Sequence, residues 1–324
     1  MQPAGTAPRL LADIGGTHTR LTLARVPEGF AHTETFDNAR FPDLASLVES
    51  FLQQLPDAER PQTGAFAVAS PVDGDKIRMT NCGWEFSLSR LCKQLGLDAL
   101  YCINDFTAIA LAIPRMGPGD TIQIGAGAGR ARAPIGVIGP GTGLGVSGLI
   151  PCGDGWAPLL AEGGHVTLAA ATEEESRVLD RVRERFGHAS AERILSGPGL
   201  AELYKTLAQI TGQEAQSGSS EEISQRAIHE KDSVAVNALS MYFAMLGTVA
   251  GNLALTLGAR GGIYLAGGIL PTMPDALQHS RFRERFIEKG RYRSYLNAIP
   301  TFLVVEPYPA FIGLLAYLEA PAST

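Results

Sequence analysis

The stretch of the sequence that best suits chemistry is Asp13–Arg20, in which an acid precedes a Gly-Gly pair, a threonine and an arginine. Apolar runs flank it, and the second run alternates as a strand does, so we expect two strands joined by a tight turn. Glycines leave no Cβ over such a turn, and its bare backbone N–H groups suit an anion. Thr17 adds a hydroxyl, and Asp13 suits a hydrated Mg²⁺ that bridges phosphates. These residues alone fit a nucleotide-phosphate hairpin and an ordinary Gly-Gly hairpin equally well.

A second stretch, residues 135–150, has the same layout. An apolar run enters a turn and an alternating run leaves it, so that Gly141-Thr142 takes the place of Gly16-Thr17. This is a weak internal repeat. Two such turns from two similar halves, facing each other across a cleft, would hold a triphosphate from both sides. The repeat therefore favours the phosphate interpretation of both hairpins.

Asn104-Asp105 stands where a predicted strand ends and a predicted helix begins. Both residue types are good helix N-caps, which explains their presence without any chemistry. However, ligand sites of α/β proteins lie beyond the carboxyl ends of strands, and a helix N-terminus favours a negative charge. A carboxylate there can accept the proton of a hydroxyl that attacks a γ-phosphoryl group. The cap and the base are compatible roles.

Three further places suit ligand binding less specifically. Glu162 and His165 have the spacing of a helical metal site, but the Gly-Gly pair between them argues against a helix and favours a sharp turn that could bind a polyol. Gly267-Gly268 follows a buried strand and suits close approach of a flat ring or a ribose, although a plain turn explains it too. Glu192 taken alone is best interpreted as an acid in the first turn of a helix.

The predicted elements place these residues on two α/β halves. Residues 9–37 form three strands with one turn at 27–29, and the order β-β-β-α-β-α-β-α of the first half implies a mixed sheet covered by helices. Because chain ends often meet, we expect the closing elements to return to the first domain. The expected domains are 1–114 with 305–324, and 115–304.

Two segments of the second half need a separate interpretation. Ser233–Ala259 carries no charge and is long enough to span a membrane, but polar residues are spread through it and its apolar residues form a helical stripe. We therefore expect a central helix of a folded domain. Gly125–Gly129 lacks the strand-then-helix frame of a dinucleotide fingerprint, and we expect a flexible surface loop there.

Composition restricts the classes of function. The 324 residues are 45% hydrophobic with a net charge of −6 and no basic block, which argues against binding to nucleic acid or to an anionic membrane. None of the four cysteines forms a C-x₂-C pair, so we expect reduced thiols in a cytoplasmic protein. The N-terminus has no apolar signal core, and the first nine residues are expected to form a loose tail.

Taken together, the motifs resemble those of bacterial glucokinases over nearly the whole chain. They are DIGGTHTRLTLA at 13–24, SPVDGDKIRMTNCGWEFS at 70–87, INDFTAIALAIP at 103–114, GPGTGLGV at 139–146, AEGGHV at 161–166, AERILSGPGLAELY at 191–204 and LAGGILP at 265–271. The resemblance implies the two-domain actin/hexokinase-like (ribonuclease H-like) ATPase fold, an α/β fold with mixed sheets and a cleft between the domains. It also implies a homodimer that binds ATP, Mg²⁺ and D-glucose.

The same resemblance assigns roles to individual residues. Glucose would bind to Asn104, Asp105, Glu162, His165 and Glu192, with Asp105 as the catalytic base. The nucleotide would bind to Ala12, Asp13, Ile14, Gly15, Gly16, Thr17, Gly141, Thr142, Gly143, Gly267 and Gly268, with Asp13 holding Mg²⁺ through water. A related branch of sugar kinases and repressors carries a Cys-rich zinc motif after its active-site histidine, and its absence here favours the zinc-free branch.

The expected activity is therefore ATP-dependent phosphorylation of the 6-hydroxyl of D-glucose. A kinase for another hexose, such as mannose, fructose or N-acetylglucosamine, is the nearest alternative. A non-catalytic sugar sensor is an alternative of another class, and it would be expected to add a helix-turn-helix and basic charge, which this sequence lacks. Polyphosphate in place of ATP is a third.

Overall fold

The computed structural model describes residues 7–25, 29–79 and 82–320. The chain divides into two compact units: the first runs to Met116 and resumes at Pro307, and the second covers Gly117–Glu306. The expected turn at 27–29, the expected tail and the end of the strand expected at 76–80 lie partly outside the described residues.

The elements follow the chain in a simple order. The first unit contains β1 (Arg9–Ile14), β2 (His18–Arg25), β3 (Gly29–Asp37), α1 (Leu44–Leu52), β4 (Thr63–Val68), β5 (Lys76–Arg78), β6 (Glu85–Ser87), α2 (Leu88–Gln94), β7 (Ala99–Asn104) and α3 (Asp105–Ala112). The second unit contains β8 (Thr121–Gln123), β9 (Ile135–Pro140), β10 (Leu144–Cys152), β11 (Gly155–Leu159), α4 (Glu173–Phe186), α5 (Gly197–Thr211), α6 (Ser220–Gln225), α7 (Ser233–Leu257), β12 (Gly262–Leu265), α8 (Pro274–Gln278), α9 (Phe282–Ile287), α10 (Arg293–Asn297) and β13 (Thr301–Val304). The closing helix α11 (Pro309–Glu319) belongs to the first unit.

The two main sheets repeat one topology. The first has the strand order β3-β2-β1-β4-β7 and the second β11-β10-β9-β12-β13-β8. In each, an antiparallel meander of three strands is extended by two strands parallel to its first, namely β4 and β7 beside β1, and β12 and β13 beside β9. The internal repeat and the mixed α/β class predicted from the sequence are confirmed, and β8 is an addition to the second sheet.

Helices cover both faces of the first sheet because its strands are apolar on both sides. Leu10, Ala12 and Ile14 of β1 pack with residues of α1 and α2, whereas Leu11 packs with residues of α3 and α11. At Gly313 of α11 an added Cβ would lie 1.7 Å from the Ala108 carbonyl oxygen of α3, so glycine allows the two helices to touch. The strand β13 pairs with β12 and stays in the second unit. Of the closing elements, only the helix α11 returns to the first unit.

The second unit is built around α7, the central helix expected from the uncharged segment. Asp232 caps its N-terminus, and Gly258 ends it with a φ of 60°. The helix is long and apolar enough to cross a membrane, but 83% of its most apolar 18-residue window is buried inside the protein. It serves as the core of this unit, with buried residues on more sides than the predicted stripe.

The glycine-rich segment at 125–129 differs from the expected flexible loop. It lies at the surface, but Ala128 N–H donates to the Ala298 carbonyl oxygen at 3.2 Å, and a Cβ at Gly127 would lie 2.8 Å from the carbonyl carbon of Ile299. A Cβ at Gly129 would lie 2.9 Å from the Gly261 oxygen. The glycines therefore let this backbone pack directly on two neighbouring backbones, and the prediction of a flexible loop is wrong.

Candidate active site

The first hairpin joins β1 to β2 through Gly15-Gly16-Thr17. Asp13 is paired across the hairpin with Arg20, whose Nη1 lies 3.0 Å from Asp13 Oδ2. The Asp13 side chain keeps 24% of its surface exposed. Burial raises the pKa of Asp13, and the charge and hydrogen bond of Arg20 offset this rise only in part. The hairpin thus carries an acid whose ionised form the fold itself does not favour.

The turn of this hairpin is held by Asn38, which follows β3. Its Nδ2 donates to the Gly15 oxygen at 2.9 Å, and its backbone N–H donates to the Thr17 oxygen at 2.9 Å. Its Oδ1 accepts from the Thr19 hydroxyl at 2.8 Å. One buried residue therefore holds the first and the last carbonyl group of the turn. The sequence analysis missed Asn38, because no local signal connects it to a turn more than twenty positions away.

Asp105 begins α3 at the same edge of the sheet as the first hairpin. Asn104 is the N-cap, and its Oδ1 accepts from the N–H groups of Phe106 and Thr107 at 2.9 and 3.1 Å. Ile14, Val68 and Asn104 are in register across the parallel strands β1, β4 and β7. With about 4.8 Å between neighbouring strands, β1 and β7 end roughly 10 Å apart. The expected phosphate turn and the expected base therefore leave the same edge.

The second hairpin joins β9 to β10 through Gly141-Thr142-Gly143. The Gly141 N–H donates to the Gly143 oxygen at 2.8 Å and closes the turn. Directly after it, Leu144 N–H donates to Oε2 of Glu192 at 2.8 Å, and a Cβ at Gly143 would lie 2.5 Å from that oxygen. The Gly141 oxygen accepts from Gly197 N–H at the start of α5. A carboxylate and a helix start thus hold this turn.

The expected sugar residues of the second unit lie together. Glu162 precedes a short 3₁₀ turn, Gly163–His165, as the Gly-Gly pair predicts. His165 Nδ1 lies 3.9 Å from Oε1 of Glu192, and its Nε2 lies 4.0 Å from Oε2 of Glu162. Glu192 N–H donates to the Gly164 oxygen at 2.9 Å. Glu192 lies in a turn before α5, so its interpretation as a first-turn helix acid is wrong.

Two of the predicted nucleotide glycines have no structural requirement for glycine. A Cβ added at Gly141 or at Gly268 would meet nothing described within 4 Å, and neither residue has a positive φ. Gly267 is different, since its φ is 84° and a Cβ there would lie 2.4 Å from the Pro140 oxygen. Open space over Gly141 and Gly268 leaves room for a ligand against the backbone, and the close contact of Gly267 holds the two turns side by side.

Comparisons with known proteins identify the family of the chain. The glucokinase family profile matches residues 10–321. Glucokinases of Paramagnetospirillum magneticum and Aromatoleum aromaticum are 47% and 46% identical to the chain over 96% and 97% of its length and over 98% and 95% of their own. The chain belongs to the glucokinase family. It is therefore a kinase, an enzyme that transfers a phosphoryl group to an alcohol.

Solved structures of glucokinases share the fold. A crystal structure of glucokinase from an Antarctic psychrotroph is 36% identical, with a TM-score of 0.84 over 97% of this chain and 99% of that one. A glucokinase of the ROK family from Streptomyces griseus, in complex with glucose and AMPPNP, matches with a TM-score of 0.66 at 18% identity, covering 96% of this chain and 98% of that one. The expected two-unit hexokinase-like fold is confirmed.

The donor groups of the first hairpin fit the way in which proteins of this chemistry hold magnesium. Mg²⁺ usually keeps several waters and takes one or two protein carboxylates beside the substrate phosphates. Asp13 supplies one partly exposed carboxylate next to the turn. Among the described residues no group of three or more His, Cys, Asp or Glu side chains is placed to hold a metal ion.

Proposed function

We propose that the chain catalyses ATP-dependent phosphorylation of D-glucose to glucose 6-phosphate with Asp105 as the general base. The observation that carries the proposal is the register of β1, β4 and β7, by which the phosphate hairpin and Asp105 leave the same sheet edge. The Asp105 carboxylate takes the proton of the 6-hydroxyl as its oxygen attacks the γ-phosphorus. The N-terminus of α3 favours the negative charge that this role needs.

The proposed sugar residues have different roles in the two units. Asn104 caps α3 and fixes the backbone that presents Asp105. Glu162 and Glu192 each place a carboxylate oxygen within 4.0 Å of the His165 imidazole, and such groups bind adjacent hydroxyls of a sugar. A site that satisfies each hydroxyl with a polar partner discriminates strongly between hexoses, by ~10⁴ or more. This arrangement supports glucose over a general role in binding polyols.

The nucleotide is assigned to the two hairpins and to the second glycine pair. Ala12–Thr17 and Gly141–Gly143 bind phosphates through backbone N–H groups and threonine hydroxyls, and Gly267-Gly268 lies against the adenosine. Asp13 would hold Mg²⁺ through water, and the bound ion would neutralise charge on the phosphates. We also infer, from the family pattern, that the enzyme works in the cytoplasm as a homodimer at the entry of glucose into glycolysis.

Replacing the base tests the proposal. Asp105→Asn keeps the shape of the side chain and should lower kcat by about 10²–10⁴-fold, the usual contribution of a general base, while glucose binding is partly kept. Asp43→Asn is the matched control, because Asp43 also lies at a helix N-terminus of the first unit but caps α1. Steady-state kinetics of sugar-dependent ADP release measure both. Near-normal turnover of Asp105→Asn would remove Asp105 from the mechanism.

A panel of substrates separates the alternatives. Glucose, mannose, fructose and N-acetylglucosamine with ATP, and then glucose with polyphosphate, are compared by kcat/KM. We expect glucose with ATP to give the highest value. A higher value for another hexose or for polyphosphate would overturn the assignment of that substrate, and sugar binding without any ADP release would favour a sensor.

A further inference from the structure

Asn38 makes three hydrogen bonds to the first hairpin, and its carbonyl oxygen accepts a fourth from Phe41 N–H. The residue is 5% exposed, and its amide and backbone contact Gly15, Thr17 and Thr19 at 2.8–2.9 Å. Its amide and its backbone N–H bond to three alternate positions of the hairpin, residues 15, 17 and 19. The arrangement fixes the directions of the Gly15 and Thr17 carbonyl groups.

Fixing the carbonyl groups also fixes the N–H groups. The peptide unit is planar and trans, so the N–H of the next residue points opposite to each carbonyl. Because the Gly15 oxygen faces Asn38, the Gly16 N–H points away from that buried side chain. No acceptor within the described residues bonds to the Gly16 N–H. A free N–H aimed outward at a glycine turn is the donor that a phosphate oxygen requires.

We propose that Asn38 is a positioning residue for the nucleotide phosphates, which holds the Gly15–Thr17 turn with the Gly16 N–H outward and itself contacts no ligand. This inference rests on the proposed function of the hairpin as a phosphate site. It adds a residue outside every motif of the sequence analysis. Thr19 is then a second positioning residue, because its hydroxyl donates to the Asn38 amide oxygen and orients that amide.

The strand β2 contains a matched pair of threonines for the test. Thr19 and Thr22 are both 0% exposed, three positions apart on the same strand. The Thr22 hydroxyl bonds to the Ala31 oxygen at 3.0 Å and to the Thr33 hydroxyl at 2.9 Å, away from the turn. Valine at either position removes one buried hydroxyl and keeps the shape. If Thr19 had only a structural role, Thr19→Val and Thr22→Val would have the same effect on Tm and on AMPPNP binding.

The experiment measures binding of adenosine and of Mg-AMPPNP by calorimetry, together with Tm and the KM of each substrate. Asn38→Ala should weaken AMPPNP by about tenfold and Thr19→Val by about threefold, the range for one or two lost hydrogen bonds. Adenosine affinity and the KM of glucose should change by less than about twofold. Thr19→Ser and Thr22→Val should bind AMPPNP as the unmodified enzyme does.

The inference fails if Thr19→Val and Thr22→Val lower Tm equally and leave AMPPNP affinity unchanged, or if adenosine weakens as much as AMPPNP. Should Asn38→Ala not fold, the comparison of Thr19→Val with Thr19→Ser decides alone. Failure of the proposed function looks different. The unmodified enzyme would then release no ADP with glucose, or would bind AMPPNP no better than adenosine.

Discussion

The two glycine-threonine hairpins follow equivalent strands of two matching sheets, yet different chemistry holds them. The first turn is fixed by the neutral amide of Asn38, and the second by the carboxylate of Glu192 and the start of α5. The repeated topology therefore determines where each turn lies. The residues that hold it come from segments outside the repeat and are free to differ.

Asn38 and Glu192 also differ in how many turns they support. Asn38 is buried and serves the first turn alone. The Glu192 side chain is 32% exposed and presents its second oxygen towards His165. The short segment Glu192–Gly197 bonds to the turn at Gly164, which is proposed to bind the sugar, and to the turn at Gly141, which is proposed to bind phosphate. In the second unit, then, one segment supports both proposed substrate turns, whereas the first hairpin is held by Asn38.

Glu192→Ala should disrupt the support of the second hairpin, and we expect it to lower activity more than any other substitution except one at Asp105. It removes a proposed glucose ligand and leaves Leu144 N–H without its acceptor. Two hydrogen bonds to a charged group are worth about 10²–10⁴-fold together, so kcat/KM should fall by that factor, and the KM values of both glucose and ATP should rise. Steady-state kinetics with each substrate varied in turn measure this.

The control for that variant is Glu202→Ala, which removes an acid of the same unit that is bonded to Arg185. It should leave both KM values unchanged. If Glu192→Ala raises only the KM of glucose, Glu192 does not support the phosphate turn, and the contrast between the hairpins is lost.

Alanine at the two outer glycines of the second turn sharpens the comparison with a smaller effect. At Gly143 a Cβ would lie 2.5 Å from Glu192 Oε2, so the carboxylate must move. At Gly141 a Cβ would meet open space and could obstruct only a ligand. Both variants should raise the KM of ATP, about tenfold, since small displacements at a site are costly. Only Gly143→Ala should also raise the KM of glucose.

Thermal unfolding provides the check on this pair. Gly141→Ala should keep the Tm of the unmodified enzyme, because nothing described lies within 4 Å of its added Cβ. A glucose KM raised equally by both substitutions would mean that the effect passes through the turn as a whole and not through Glu192.

Local signals in the sequence predicted the hairpins, the strand-helix junction at Asp105 and the sharp turn at Glu162–His165. Each of these depends on residues within about five positions, where glycine, capping and alternation act directly. The internal repeat was predicted from two short turns, and the strand orders of the two sheets confirm it. The helix α7 was predicted from the spacing of its apolar residues.

The supports of the site were not predictable in the same way. Asn38 and Gly15 are 23 positions apart, and Glu192 and Leu144 are 48 apart, so these contacts exist only once strands have paired and segments have packed. The segment at 125–129 has the composition of a flexible loop, and only its neighbours show why glycine is needed. The residue type alone does not distinguish a glycine that permits close backbone contact from a glycine that permits motion.

The smallest effect expected concerns the charge of the first hairpin. Asp13 lies three positions before Gly16, as the fully buried Ile138 lies three positions before Gly141 in the second hairpin. Burial raises the pKa of Asp13, so the stability that its protonated form provides is complete below its ordinary pKa and is lost as pH rises through the raised one. Asp13→Asn stays uncharged at every pH, so the variant does not lose this stability as pH rises. The substitution also removes the ion pair with Arg20, but the Arg20 side chain is 45% exposed and a surface ion pair contributes little to stability.

Asp13→Asn should therefore unfold at a slightly higher Tm than the unmodified enzyme at pH 7, by about 1–3 °C, and the difference should shrink towards pH 4. Turnover should fall, because the proposed Mg²⁺ contact is lost. Asp43→Asn has the opposite sign, since hydrogen bonds from Ser46 lower the pKa of Asp43 and its charged form stabilises the fold. A Tm of Asp13→Asn that falls below the unmodified value as pH rises would show that the bond to Arg20 outweighs burial, and that the acid is retained for the fold and not for the nucleotide.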